Sequence, residues 1–152
     1  MDNNLIMRQL KGIYEKEELL GKLAFKGKYE NYGISEIHCV DAIGKIQDPN
    51  VTKIAQHMNM TRGAISKICK KLSEKKLIAK YKKIENDKEV YFSLTELGRE
   101  MYDYHEIKHQ QWEERNNHFF ESVNEKEQVL VSEFLKKFND YLEYLIKNEG
   151  GV

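Results

Sequence analysis

Between Val51 and Lys88 the chain concentrates side chains suited to holding phosphate. Lys53, Arg62, Lys67, Lys70, Lys71, Lys75, Lys76, Lys80, Lys82, Lys83 and Lys88 stand there against Glu74, Glu85 and Asp87, a net +8 within 38 residues. Ammonium groups meet phosphate oxygens as point charges, while a guanidinium adds a planar fork that matches the edge of guanine. Arg62 is the one arginine of the block, which makes it the candidate for a bidentate base contact, with a phosphate clamp as the alternative. Lys67, Lys70, Lys71 and Lys88 read as phosphate contacts. Gly63 and Ala64 permit close approach, and Ala64 can touch a thymine methyl. Thr61 and Ser66 share the same two turns, and Ser35 and Thr52, near helix starts, can hold phosphate oxygens.

Other reactive residues are sparser. His105 and His109 are spaced i, i+4, so on a helix they share one face and form a pair able to hold a transition metal. Cys39 and Cys69 are in no CxxC pair and fall on apolar stripes, where buried, inert thiols are expected. Two cysteines are too few for a disulfide scaffold, so a reducing cytoplasm is the expected location. Met1-Asp2-Asn3-Asn4 carries no basic n-region, so no export signal is expected.

These residues need elements to carry them. Leu5 to Phe25 has helical apolar spacing, followed by a polar, Gly-bounded loop, Lys26–Gly33. Ser35 is the expected cap of the next helix, whose inner stripe is Ile37, Val40 and Ile43. Gln47-Asp48-Pro49-Asn50 reads as a turn. Val51–Met58 is a short helix, and Asn59-Met60 a tight connection. Thr61 caps a helix from Arg62 to about Lys75, with Ile65, Ile68, Cys69 and Leu72 inward. Then the period changes to two: strands are expected at Ile78–Ile84 and Glu89–Leu94 around a turn Glu85-Asn86-Asp87-Lys88, with Val90, Phe92 and Leu94 facing inward. Thr95 opens a long helix to about Val123, and Asn124 caps another, Glu125 to about Lys147.

Helix, short helix, tight turn, helix and β-hairpin in that order make a winged helix-turn-helix. The fold class is therefore mainly α with a small β-hairpin wing. A helix of about 12 residues with a basic outer face fits the DNA major groove, and a basic hairpin beside it reaches the backbone. The rest of the chain holds 14 cations and 22 anions, a net −8, so the zero net charge of all 152 residues is an average over two opposite parts. Mean hydropathy is −0.72, and no run approaches ~18 apolar residues, which excludes a membrane-spanning helix.

The chain resembles the MarR family of bacterial winged-helix transcription regulators. The resemblance rests on Ile34–Ile46, on VTKIAQHMNMTRGAISKICKKLSEKKLI, and on the wing ending YFSLTELG (Tyr91–Gly98). Glu36–Lys45, EIHCVDAIGK, looks closest to the branch that represses fatty-acid synthesis genes. The family often carries an Asp and an Arg two residues apart at the wing tip. Here those positions are Asn86 and Lys88, with Asp87 between them, so backbone contact rather than minor-groove insertion is expected.

The resemblance implies a homodimer on a palindromic operator in double-stranded DNA, its recognition helices about one turn (~34 Å) apart. It divides the chain into an N-terminal dimerisation helix and loop (1–31), the winged helix-turn-helix (32–96) and C-terminal dimerisation helices (97–152). Glu17, His38, His105 and His109 look similar to the zinc-site pattern of a metal-sensing branch, although Leu23 stands where those sensors have a Cys. The same histidines occur in the fatty-acid branch, where no metal is needed.

The expected function is therefore a dimeric, cytoplasmic, sequence-specific DNA-binding repressor modulated by a small-molecule or acyl effector. It requires no membrane, cofactor or metal, and carries no catalytic motif. A zinc-responsive regulator of the same family is one alternative. A winged-helix protein–protein adaptor is another, distinguished by an absence of sequence-selective duplex binding.

Overall fold

Short polar side chains set most of the helix starts. Asn50 Oδ1 accepts the Lys53 N–H at 2.8 Å, Thr61 Oγ1 that of Ala64 at 3.2 Å, Thr95 Oγ1 that of Gly98 at 3.1 Å, and Asn124 Oδ1 that of Glu127 at 3.0 Å. Each satisfies a donor that the first turn cannot pair internally, worth about 1 kcal/mol. Ser35 differs from its expected role. The helix already starts at Ile34, Gly33 holds the cap position, and the Glu36 carboxylate accepts the Gly33 N–H at 3.1 Å. A carboxylate three residues inside the helix thus replaces the hydroxyl as the closing group.

The computed structural model describes residues 3–149. The elements run α1 (Asn3–Ala24), α2 (Ile34–Lys45), α3 (Val51–Met58), α4 (Arg62–Glu74), β1 (Ile78–Lys83), β2 (Asn86–Leu94), α5 (Glu96–Glu121) and α6 (Glu125–Glu149). The two strands pair antiparallel as a hairpin. The mainly helical, winged architecture expected from the sequence is present. The chain divides into two compact units, residues 1–108 and 109–152. No helix among the described residues is long and apolar enough to cross a membrane.

In the first unit, the inner stripes of α2 (Ile37, Val40, Ile43), α3 (Ile54) and α4 (Ile65, Cys69, Leu72) meet Leu77, Ile78, Phe92 and Met101 in one buried cluster. The helix α4 ends in a Schellman turn: the Leu77 N–H reaches the Leu72 carbonyl at 2.9 Å and the Lys76 N–H that of Ser73 at 3.0 Å, with Lys76 at φ 58°. The start of α5 is fastened to this turn. The Thr95 hydroxyl lies 2.7 Å from the Lys76 carbonyl oxygen, and the Thr95 N–H donates to that of Leu77 at 3.1 Å. Gly98 is needed here, because a Cβ would lie 2.0 Å from the Leu77 oxygen.

Two acidic groups brace α2. Glu36 pairs with Lys75 Nζ of α4's C-terminal end at 3.0 Å, and Asp41 meets Lys45 Nζ at 2.9 Å and His105 Nδ1 of α5 at 3.2 Å. Burial alone would raise the Glu36 carboxyl, but the Lys75 ammonium and the Gly33 N–H outweigh it and hold it below the usual range. Burial likewise opposes, and His105 and Lys45 more than reverse, the shift at Asp41, which ends well below the ordinary value. A depressed carboxyl stabilises in full above its unfolded pKa, about 4, and loses that contribution as pH falls through the folded value. Thermal melts should therefore show Tm falling from about pH 4 downward. Glu36→Gln should lower Tm at pH 7 and make the acid limb shallower.

The second unit holds the end of α5 and α6. The large apolar residues of α6 are not buried: Leu130 is 68 % exposed, Phe134 43 % and Leu142 41 %. On α1, in the first unit, Ile13, Tyr14, Leu19 and Leu23 are likewise exposed.

Candidate nucleic-acid interface

Helix α4 turns Ile65, Cys69 and Leu72 into the core, which points the opposite face outward. Arg62, Gly63, Ser66, Lys67, Lys70 and Lys71 are all exposed on it, and Ala64 is half-buried at its edge. Thr61 heads the helix, its hydroxyl oxygen engaged by the Ala64 N–H. Thr52 and Ser35 are exposed in the first turns of α3 and α2. The cationic stretch is not uniform. Lys53 Nζ donates to the Gln47 carbonyl at 2.9 Å, Lys75 is held by Glu36 and lies 4.2 Å over the Tyr32 ring, and Lys83 is paired with Asp48 at 2.5 Å. These three lysines are tied to the scaffold.

The wing departs from its expected shape. The reversal occurs at Ile84-Glu85, and Asn86 already belongs to β2, opposite Lys83. Tyr81 pairs with Tyr91, so two steps along β1 correspond to five along β2 and the register breaks between them. Extra residues on one strand change which side chains face inward. Tyr91 is accordingly buried and Val90 37 % exposed, which reverses the expected alternation at these two residues. Tyr81 and Tyr91 stack with centroids 5.5 Å apart, and the Tyr91 hydroxyl donates to Glu89 at 2.6 Å. Asp87 and Lys88 are exposed, whereas Asn86 is half-buried and donates to Glu89 at 3.3 Å. At the tip, the Ile84 side chain is fully exposed beside that of Glu85. Asn86 and Asp87 are better turn formers by type, so residue identity alone placed the tip too late.

The histidine set is partly assembled. The His38 and His105 rings lie 5.6 Å apart, edge to face. Asp41, His105 and Glu106 offer ligand atoms within 4.8 Å of one another. The Lys45 ammonium sits among them, 2.9 Å from Asp41 and 2.8 Å from Glu106, and neutralises both carboxylates. His109, one turn further along α5, faces Glu113 at 3.2 Å and lies 5.7 Å from the Trp112 ring. Glu17 is exposed on α1. Cys39 and Cys69 are both buried and unbridged, as their stripe positions predicted. Their thiols hydrogen-bond to each other: that bond and burial push Cys39 far up, while at Cys69 the same bond outweighs burial and draws it down.

A cavity of about 750 Å³ opens among α1, α2 and the C-terminal half of α4, lined by Glu18, Lys22, Ile34, Ile68, Lys71 and Glu74 among others.

Comparison with known proteins places this arrangement. The MarR family pattern matches residues 34–90. The HTH-type transcriptional regulator PchR of Bacillus subtilis (strain 168) is 36 % identical over 110 residues, 72 % of this chain and 65 % of that protein. The chain thus spans less than two thirds of the length of the first curated relatives it matches. Among solved structures, Streptococcus pneumoniae FabT in complex with DNA superposes with a TM-score of 0.80 at 22 % identity, over 95 % of this chain and 99 % of that one. Lactococcus lactis ZitR, described as a zinc-responsive MarR family member, gives 0.74 at 20 % identity, over 91 % and 97 %.

Proposed function

We propose that this chain belongs to the MarR family, whose pattern its winged helix-turn-helix matches, and that the protein is a sequence-specific, double-stranded-DNA-binding regulator of transcription. We assign it as a homodimeric repressor modulated by a small ligand. The observation that carries this reading is the outer face of α4, where Arg62, Ser66, Lys67, Lys70 and Lys71 are exposed together on a helix capped by Thr61. Arg62 reads guanine, Gly63 and Ala64 let the helix sit deep, and the lysines hold phosphates, with Ser35 and Thr52 as further backbone contacts. On the wing, Lys88 meets the backbone, flanked by Asn86 and Asp87. The reading assigns no catalytic step.

Dimerisation is supported by the uncovered apolar residues of α1 and of α6, which a single chain leaves in water. The cavity beside α4 supports effector control, since its lining includes Ile68 and Lys71 of that helix. A zinc-responsive regulator is the second reading, favoured by the close approach of His38 to His105. Lys45 weighs against it, because a cation already balances the neighbouring carboxylates.

Selection of bound duplexes from random DNA, followed by salt titration, tests the proposal. A palindromic motif with half-site centres about 10 base pairs apart is expected. The logarithm of affinity should fall against the logarithm of salt with a slope of about −6 or steeper. Weak, salt-insensitive binding without a motif would refute it. Repeating the titration after chelation and then with added zinc separates the readings: a metal-dependent shift in affinity supports the second, and none removes it.

A further inference from the structure

The turn before α3 does more than connect two helices. Asp48 presents both carboxylate oxygens to β1: Oδ1 accepts from the Tyr81 hydroxyl at 3.1 Å and Oδ2 pairs with Lys83 Nζ at 2.5 Å. The next carbonyl, that of Pro49, accepts the Phe92 N–H of β2 at 2.9 Å. Asn50 caps α3 with its oxygen and donates its Nδ2 to Glu89 of β2 at 3.4 Å. Three consecutive residues therefore grip both strands of the wing and the first turn of the helix-turn-helix.

The backbone of Asp48 agrees with a constrained role. Its φ is 51°, in the left-handed region, although a residue before proline ordinarily takes an extended conformation. Asp enters that region more readily than most residues, and such geometry persists where surrounding contacts over-determine it. The contacts here are the two to the wing. Lys83 lies 5.3 Å over the Tyr91 ring, and Tyr91 in turn stacks on Tyr81, so the carboxylate closes a compact cluster at the wing's root.

We propose that Asp48-Pro49-Asn50 is a latch that fixes the wing relative to the helix-turn-helix, with Asp48 as a positioning residue that sets where the wing meets DNA without touching DNA itself. The proposal rests on the DNA-binding reading above. It also redefines Lys83, which acts within the protein rather than on phosphate. With the latch closed, the wing is carried rigidly beside α4. With the Asp48 contacts open, β1 is released and the hairpin tip, Ile84 to Lys88, swings on the ties of β2 to Pro49 and Asn50.

Hydroxyl-radical footprinting on the selected duplex separates the two contact regions, because the recognition helix protects the centre of each half-site and the wing its outer flank. Asp48→Ala should keep central protection, lose flank protection and weaken binding about tenfold, while Asp48→Glu regains part of the flank. Lys83→Met should give the same footprint, and the double variant should lose no more than either single one. Losses that add would make Lys83 an independent phosphate contact and overturn the latch, as would an unchanged flank in Asp48→Ala. If thermal melting finds Asp48→Ala unfolded, Lys83→Met and Tyr81→Phe carry the same test. A wild-type protein with no footprint defeats the DNA-binding reading itself, and the latch's function with it.

Discussion

Replacing Arg62 and Lys67 together with alanine is expected to weaken binding to the selected duplex by about a hundredfold or more while leaving Tm within a few degrees. Both side chains are exposed on the outer face of α4, away from the core residues Ile65, Cys69 and Leu72, so the fold does not depend on them. A bidentate guanine contact contributes about 1–3 kcal/mol of discrimination, and each phosphate contact adds about 0.9 to the salt slope. The two single variants should differ in kind. Arg62→Ala should relax preference at one base pair of each half-site. Lys67→Ala should weaken all sequences alike and flatten the salt dependence. Arg62→Lys should behave like Arg62→Ala in specificity, because an ammonium lacks the fork. Unchanged affinity in the double variant would remove α4 as the recognition helix.

Gly98→Ala should cause the largest loss of stability of any single methyl added to the chain's junctions. Its Cβ would lie 2.0 Å from the Leu77 carbonyl oxygen and 3.0 Å from the carbonyl carbon, so the obstacle is backbone that no rotamer change can clear. That same oxygen accepts the Thr95 N–H, so moving it also disturbs the junction at the start of α5. Overpacking of this kind costs about 3 kcal/mol, which for a chain of this length lowers Tm by roughly 10 °C. DNA affinity should fall with it, since Leu77 leads directly into β1. Gly63→Ala is the matched control: nothing lies within 4 Å of its Cβ, and a helical Ala in place of Gly should hold or slightly raise Tm. If Gly98→Ala melts with the wild type, the close approach of α5 to Leu77 is wrong.

What the sequence made legible follows one physical divide. Helical phase, the Thr61 and Asn124 caps and the basic face of α4 depend on residues three or four apart, and such local rules are readable without a fold. The wing's alternation failed at Val90 and Tyr91 because a register break reflects the partner strand as well as the strand itself. Ser35 has the residue type of a cap for α2, but Gly33 and Glu36 perform the task through a carboxylate. Asp48 carried a turn signal, but its partners Tyr81 and Lys83 lie more than 30 positions away, and no periodicity links them. Among the metal candidates, i, i+4 spacing identified His105 and His109, yet Lys45, which changes the character of the cluster, is visible only once α2 meets α5.

Helix α6 runs for 25 residues and buries none of them within its own chain. Most helical stability in proteins comes from packing an apolar face rather than from intrinsic propensity. If its apolar face is covered by a second copy, its order is subject to mass action: dilution melts it and crowding of copies restores it. The melting temperature then rises with protein concentration. On that condition the amount of the protein present becomes a control input in its own right, setting how much of it is assembled.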